Sequence, residues 1–198
     1  MEAFRYWLLK TLLPLTKALG SLHFPWTKKK LRGEHWNAIA DVIKPGDVLL
    51  SRISGEPSNL VNPGYWKHAA IYFGGPNQTV IEAVGEGVRK ITLAEFVLTK
   101  DAVAVCRANF MTTQEAQYAS SMAMLAVGEP YDFFFMPNNQ AWYCSELVYE
   151  VIKRTVPIDL PFTRRKTLGV FTVIPTDFWR ARKKFDIVWS SIAWGKYL

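Results

Sequence analysis

The sequence predicts an α+β protein in which antiparallel strands come first and helices then pack on the sheet. Short apolar segments separated by turn residues dominate the region between residues 44 and 108. Segments with helical spacing follow at 112–128 and 143–155. Strands grouped before helices, without strict one-to-one alternation, are typical of an α+β fold.

The strand group follows a short predicted helix, WNAIADVI, at residues 36–43. Apolar segments bounded by Gly, Pro, Asn or Asp predict strands within KPGDVLLSRI, KHAAIYFGG, TVIEAV, GEGVRKIT and AVAVCRA. The loop from Gly74 to Gln78 is short enough to join the second and third of these strands as a hairpin. A short helix, LAEFVLT, separates the fourth strand from the fifth.

Two longer helices follow the strands. The first, TTQEAQYASSMAMLAVG, has Thr112 or Thr113 as its N-cap and Gly128 just past its end. An aromatic loop, EPYDFFFMPNNQ, leads to the second helix, YCSELVYEVIKRT. The segment from Thr172 onward is rich in Trp and basic residues and fits either a helix or a strand.

The first 35 residues are predicted to be an amphipathic basic leader and linker, and residues 36–198 the folded domain with a basic aromatic C-terminal segment. The leader's apolar residues recur at helical spacing: Phe4, Leu8, Leu12, Leu15, Leu19 and Leu22. Pro14 kinks or splits this helix, which either packs on the domain or lies on a membrane. Its charges rule out a membrane span and do not suit a secretory signal, so we expect a cytoplasmic protein or one at the inner membrane surface.

Positive charge is concentrated at the two ends of the chain. Residues 1–35 carry seven basic and two acidic side chains, and residues 153–198 carry ten and three. The middle of the chain is net acidic, which does not favour a nucleic-acid partner. Basic ends rich in aromatic residues suit peripheral contact with an anionic membrane, although a solvated basic face gives the same pattern.

The chain has 2 cysteines and 3 histidines. Two cysteines are too few for a disulfide scaffold or a cysteine-based metal site, but one disulfide between them is compatible with the count. The histidines show no zinc-type spacing. These counts predict no metal site, and a cysteine-based hydrolysis of the kind considered below needs no metal or organic cofactor.

Cys144 lies in the first turn of the predicted helix YCSELVYEVIKRT, which begins between Trp142 and Ser145. Unpaired N–H groups and the helix dipole at that position stabilise a thiolate, which is the nucleophilic form of cysteine, and can also receive an oxyanion. Taken alone, the position fits an inert core cysteine better than a nucleophile, because Val148, Val151 and Ile152 share its helical face.

His68 and Glu82 are candidates for the base and for the group that orients it. His68 starts the strand HAAIYFG, where the ring lies at the end of a rigid strand. Glu82 lies in VIEAV, an unusual apolar setting for an unpaired carboxylate. A short hairpin would bring residues 68 and 82 together, although each also fits a plain strand position.

Four segments, PGDVLLSR, HAAIYFG, VIEAVGEGV and YCSELVYEV, resemble in this order the circularly permuted papain-like cysteine hydrolases of the NlpC superfamily. The resemblance is to the YiiX-like branch, with lecithin retinol acyltransferase-like enzymes as more distant relatives, and it spans about residues 43–155. In this family the histidine strand precedes the cysteine helix, the reverse of the order in papain.

The resemblance implies a permuted papain-like fold with Cys144 as nucleophile, His68 as general base and Glu82 as orienting group. Substrate contacts are expected from Ser51, Tyr65, Trp66 and Tyr143. The resemblance and the aromatic, basic ends leave three functions to compare. These are a cysteine amidase or peptidase for a peptide, N-acyl amino acid or cell-wall fragment, a lipid hydrolase or acyltransferase at a membrane, and a non-catalytic membrane-associated binding protein.

Overall fold

The computed structural model describes residues 31–54, 64–133, 135, 140–162, 165–167 and 170–193. Its helices are α1 (Gly33–Ala40), α2 (Leu93–Leu98), α3 (Thr113–Leu125), α4 (Cys144–Thr155) and α5 (Pro175–Arg180). Its strands are β1 (Val48–Arg52), β2 (His68–Gly74), β3 (Thr79–Val84), β4 (Gly87–Thr92), β5 (Ala102–Ala108), β6 (Arg165–Thr167), β7 (Val170–Thr172) and β8 (Phe185–Ser190). The α+β class predicted from the sequence is confirmed.

Six of these strands form one antiparallel sheet in the order β4-β3-β2-β1-β5-β8. The predicted hairpin between the second and third strands is present, with Ile71 opposite Ile81. β1 lies in the middle of the sheet, and its Val48, Leu49 and Leu50 are fully buried. A central strand of this kind is covered on both faces, which explains its uninterrupted apolar run.

The two faces of the sheet support separate apolar cores. On one face Val48 and Leu50 pack with Leu147 and Val148 of α4. On the other face Leu49 packs in a core that contains residues of α1 and α2, among them Phe96. Because side chains alternate along a strand, residues of β1 contribute to both cores in turn.

The helices α2 and α3 begin after threonines whose side chains satisfy the first N–H groups. The Thr112 hydroxyl accepts the Glu115 N–H at 3.2 Å, and Glu115 accepts the Thr112 N–H at 2.7 Å, so Thr112 is the N-cap of α3. Thr92 and Glu95 make the same reciprocal pair at the start of α2. These caps fix where each helix meets the sheet.

The structure differs from the predicted elements at both ends of the folded region. α1 begins three residues before the predicted helix and ends at Ala40, ahead of the turn that contains Gly46. The segment after Thr172 contains both a helix, α5, and a strand, β8, which pairs with β5. The sequence alone did not decide between helix and strand here, because the apolar residues follow neither the helical period nor the strand period along the whole segment.

The predicted leader helix lies outside the described residues. No helix in the described ranges is long and apolar enough to cross a membrane.

Candidate active site

Cys144 is the first residue of α4, as the sequence predicted. Tyr143 precedes it in an extended conformation, with φ −92° and ψ 162°, and serves as the N-cap. The Ser145 hydroxyl donates to the Val173 carbonyl at 2.8 Å, and Leu147 and Val148 bury the helix in the core. The first turn of α4 is therefore held firmly, and Cys144 as a residue is 7% exposed.

His68 is the first residue of β2. The chain just before it is anchored, because the Trp66 N–H donates to the Thr176 hydroxyl at 3.1 Å and the Lys67 N–H donates to the Ser51 carbonyl at 3.0 Å. The His68 ring lies 6.1 Å from the Phe96 ring, and its side chain is 19% exposed. A partly open ring on an anchored strand is well placed to exchange protons with a bound molecule.

Glu82 lies on β3 and faces His68 from the neighbouring strand. Its register partner on β2 is Ala70, so His68 is two residues away on the same face of the sheet. The distance between His68 Nε2 and Glu82 Oε2 is 2.8 Å, and the Glu82 side chain is only 1% exposed. The expectation that the hairpin brings these two residues together is confirmed.

The His68 ring connects Glu82 to Cys144, because it hydrogen-bonds the thiol as well as the carboxylate. Since Nε2 is engaged by Glu82, Nδ1 is the nitrogen left to face the sulphur. The backbone N–H of Ala69 and the hydroxyl of Ser145 also lie within hydrogen-bonding reach of Cys144. The three side chains thus form one contiguous chain of hydrogen bonds.

Opposing effects set the pKa values of these groups. Burial alone raises the pKa of the Cys144 thiol, but the hydrogen bond and positive charge of His68 outweigh it, and the thiol pKa is lowered. Burial alone lowers the pKa of His68, but bonds to Cys144 and Glu82 raise it to about 9. For Glu82, burial is outweighed by His68, Lys100 and Arg89, which bring its pKa to about 2. This combination favours a thiolate beside an imidazolium near neutral pH.

Other ionisable groups around the start of α4 favour their neutral forms. Burial raises the pKa of Glu146 to about 8, and the negative charges of Asp132 and Glu150 add to the effect despite the Tyr143 N–H that Glu146 accepts. Burial also raises the pKa values of Tyr131 and Tyr143. Among the groups around the thiol, His68 lowers the pKa of Cys144 most.

The residues expected to contact substrate occupy different settings. Ser51 lies opposite His68 in the β1–β2 pairing, is 1% exposed, and its hydroxyl has no hydrogen-bond partner among the described residues. Tyr65 lies half-buried beside Arg52, whose guanidinium is 4.8 Å from its ring. The Tyr143 hydroxyl accepts the Val173 N–H at 3.1 Å. Their contact with substrate stays a prediction.

Trp66 is fully buried, and its ring packs against Trp179 at 5.3 Å. The ring is part of the core under the β2 terminus, since apolar surface of that size is most stable away from water. A role as a pocket wall is not supported by this burial.

The remaining cysteine and histidines lie apart from this arrangement. Cys106 is fully buried in the middle of β5, and burial raises the pKa of its thiol, so it is inert. Both cysteines are free thiols, so the disulfide that their number allowed is not formed. His35 lies on α1, where its Nδ1 accepts the Arg32 N–H, and His23 lies outside the described residues.

Sequence reasoning missed Arg89. Its Nε and Nη2 donate to Glu82 Oε1 at 2.9 and 2.8 Å. A signal was present, because a two-residue turn at Gly85 and Glu86 places Arg89 directly opposite Glu82. The Ala69 contact to the sulphur had no comparable signal, since it is made by a backbone amide and not by a side chain that the sequence displays.

Comparison with known proteins identifies the family. A family profile described as "Permuted papain-like amidase enzyme, YaeF/YiiX, C92 family" matches residues 42–190. The chain belongs to this family, and the predicted permuted papain-like fold is confirmed. It is therefore an enzyme, a cysteine-type amidase or hydrolase, which sets aside the alternative of a non-catalytic binding protein.

One solved structure shares the fold. The crystal structure of the metalloprotein YiiX from Escherichia coli O157:H7 matches with a TM-score of 0.64 and 20% identity, over 76% of this chain and 98% of that one. No curated protein matches the chain. Within the ranges that the structure describes, no group of three or more His, Cys, Asp or Glu side chains is arranged to hold a metal.

Proposed function

We propose that this enzyme hydrolyses an amide bond in a small peptide, an N-acyl amino acid or a cell-wall fragment through an acyl-enzyme on Cys144. The observation that supports this most directly is the His68 ring, which hydrogen-bonds Cys144 on one side and Glu82 at 2.8 Å on the other. A nucleophile, a base and an orienting carboxylate in this order suit acyl transfer.

In the first half of the reaction, the Cys144 thiolate attacks the carbonyl carbon of the substrate and a sulphur–carbon bond forms. Negative charge develops on the carbonyl oxygen, and the N–H groups of the first turn of α4 are suited to receive it. The His68 imidazolium then gives its proton to the leaving nitrogen, the carbon–nitrogen bond breaks and the amine departs.

In the second half, neutral His68 takes a proton from water, and the resulting hydroxide attacks the thioester. The carbon–sulphur bond breaks, the carboxylic acid is released, and the thiolate beside the imidazolium is restored. Glu82 stays ionised throughout and holds the ring in one orientation. No step passes through a metal or an organic cofactor.

A lipid hydrolase or acyltransferase acting at a membrane surface is the second candidate. Aromatic rings surround the start of α4, with Phe135 against Tyr143 and Tyr131 against Phe133, each pair 4.8 Å apart. Such rings favour an apolar acyl group. The basic ends of the chain would hold the enzyme at an anionic surface.

The nucleophile is tested by alkylating the full chain with iodoacetamide over pH 5–10 and locating the adduct by mass spectrometry. We expect rapid labelling of Cys144 well below pH ~8.5, the ordinary thiol value. Cys106 in the same sample is the matched control and should stay unlabelled. Labelling of Cys144 only above pH ~8.5 would contradict the proposed nucleophile.

The substrate class is tested with short peptides, N-acyl amino acids and cell-wall peptides on one side and phospholipid vesicles on the other. We expect amine release from the first group, lost in Cys144→Ala and kept in Cys106→Ser. Fatty acid release alone, with flotation on anionic vesicles that requires residues 1–30, would instead support the lipid candidate.

A further inference from the structure

We infer that Arg89 is a positioning residue of the active site, which fixes the Glu82 carboxylate so that its second oxygen holds His68 toward Cys144. This inference rests on the roles proposed above for Cys144, His68 and Glu82. Both donors of the Arg89 fork reach Glu82 Oε1, while Oε2 bonds His68 Nε2 at 2.8 Å. One carboxylate therefore joins a guanidinium on one strand to an imidazole on another.

The burial of Glu82 makes this second contact necessary. Its side chain is 1% exposed, so water cannot satisfy an oxygen that lacks a protein partner. His68 occupies one oxygen only, and a buried unpaired carboxylate oxygen is costly. Two guanidinium nitrogens hold Oε1 from two sides of a planar group, whereas a lysine ammonium is a mobile point charge on a flexible stem.

The backbone of β4 gives Arg89 a defined place. Glu82 and Arg89 are direct partners in the β3–β4 pairing. The start of β4 is tied to the loop after α3, since the Val88 N–H donates to the Glu129 carbonyl and the Gly128 N–H to the Val88 carbonyl, both at 2.9 Å. Arg89 thus reaches the buried carboxylate from an anchored edge strand, with its own side chain 50% exposed.

Charged groups from every neighbouring element act on Glu82. His68 faces it from β2 and Arg89 from β4. Glu95 acts on it from α2, and Lys100 from the turn after α2. Loss of Arg89 would leave Lys100 and His68 as the only nearby cations among these groups. The carboxylate would then be easier to protonate and freer to rotate, and the thiolate would lose part of its electrostatic support.

The test compares Arg89→Gln with Lys90→Gln in the full chain. Lys90 is the adjacent exposed residue of β4 and lies opposite Ile81, so its variant removes the same charge without touching Glu82. We expect the midpoint of iodoacetamide labelling of Cys144 to move to higher pH by about one unit in Arg89→Gln, so that labelling slows about tenfold on the acidic limb of the profile. Lys90→Gln should match the wild type, and Arg89→Lys should fall between the two.

A double-variant comparison shows whether Arg89 acts through Glu82. In a Glu82→Gln background, Arg89→Gln should add little further loss, because the group it positions is already gone. Fully additive losses would overturn the inference. So would a wild-type pH profile in Arg89→Gln, even if the melting temperature fell, because Arg89 would then support only the edge strand.

The imidazole ¹⁵N spectrum separates this inference from the proposed function. With 3 histidines in the chain, the His68 signals are readily assigned by substitution. A shift of the His68 signals in Arg89→Gln but not in Lys90→Gln supports positioning whether or not Cys144 is reactive, and unchanged signals overturn it. Failure of the wild-type thiol to react below pH ~8.5 contradicts the proposed nucleophile alone.

Discussion

The chemistry at the residue scale depends on how burial and pairing compete at Cys144, His68 and Glu82. Each is more than four-fifths shielded from solvent, so burial alone would favour the neutral form of all three. The hydrogen bonds between them reverse that tendency in every case. The ionised states of Cys144 and Glu82 therefore each depend on His68, and that of His68 depends on both of them.

The pH dependence follows from these pKa directions. Thiol reactivity in the proposed mechanism requires ionised Cys144, whose pKa is lowered, and protonated His68, whose pKa is about 9. We expect hydrolysis to rise at acidic pH as the thiol ionises and to fall as the pH passes about 9. A pH–rate profile of kcat/KM measures both limits.

Removing the charge of Glu82 should narrow the pH range of activity by lowering its alkaline limit. In Glu82→Gln the ring keeps a hydrogen-bond partner but loses the negative charge that holds its proton, so the pKa of His68 should fall and the alkaline limb should move to lower pH. We expect kcat/KM at pH 8 to drop on the order of 100-fold. Glu86→Gln, in the exposed turn beside β4, is the control and should leave the profile unchanged.

At the scale of elements, the site depends on what holds the start of β2 and the start of α4. α4 is held by Leu147 and Val148 in the core and by the Ser145 bond to Val173. β2 is held at Trp66, whose N–H and carbonyl both bond the hydroxyl of Thr176 at the start of α5. The C-terminal segment thus supports the histidine strand, although no catalytic candidate lies in it.

Thr176→Val tests this support, because valine keeps the shape of threonine and removes the hydroxyl. We expect a loss of about 1–3 kcal/mol in unfolding free energy, since the buried Trp66 N–H and carbonyl lose their partner. Thermal unfolding and Cys144 labelling measure stability and site geometry together. Thr176→Ser keeps the hydroxyl and should stay close to the wild type, and an unchanged melting temperature in Thr176→Val would contradict the anchor.

At the scale of the whole molecule, one buried ion pair ties the central sheet to the segment after α1. Asp47 is 2% exposed, and Arg107 of β5 donates to its carboxylate at 2.7 and 2.8 Å. Arg107 also donates to the Val42 carbonyl at 2.8 Å. Burial raises the pKa of Asp47 against the effect of these bonds. Removing Arg107 would therefore leave a buried carboxylate without its cation, which destabilises the folded state.

Arg107→Met should therefore destabilise the fold well beyond an ordinary surface substitution. Because Arg107 is partly exposed, at 31%, we expect a loss of about 2–3 kcal/mol, below the range for a fully buried pair. Urea unfolding measures the loss. Asp47→Asn in the same background removes the stranded charge and should recover part of the stability, and a double variant as unstable as the sum of the two would refute this account.

Local patterns were sufficient to predict most of the elements and the three catalytic candidates. The short loop from Gly74 to Gln78 between HAAIYFG and TVIEAV indicated a hairpin, and the hairpin brought His68 to Glu82. The start of α4 at Cys144 could be predicted from the sequence, because the signals for a helix N-terminus lie in nearby residues. The order of these motifs along the chain was enough to suggest the family.

Only the tertiary structure decided which side chains complete the site and which serve the core. Trp66 lies two residues before His68 in sequence yet is fully buried, because the fold places Trp179 beneath it. β8 joins the sheet through pairing with β5, a contact between residues distant in sequence that no local period encodes. Sequence spacing determined where His68, Glu82 and Cys144 stand on their own elements, whereas burial and strand pairing determined that Arg89, Ala69 and Thr176 support them.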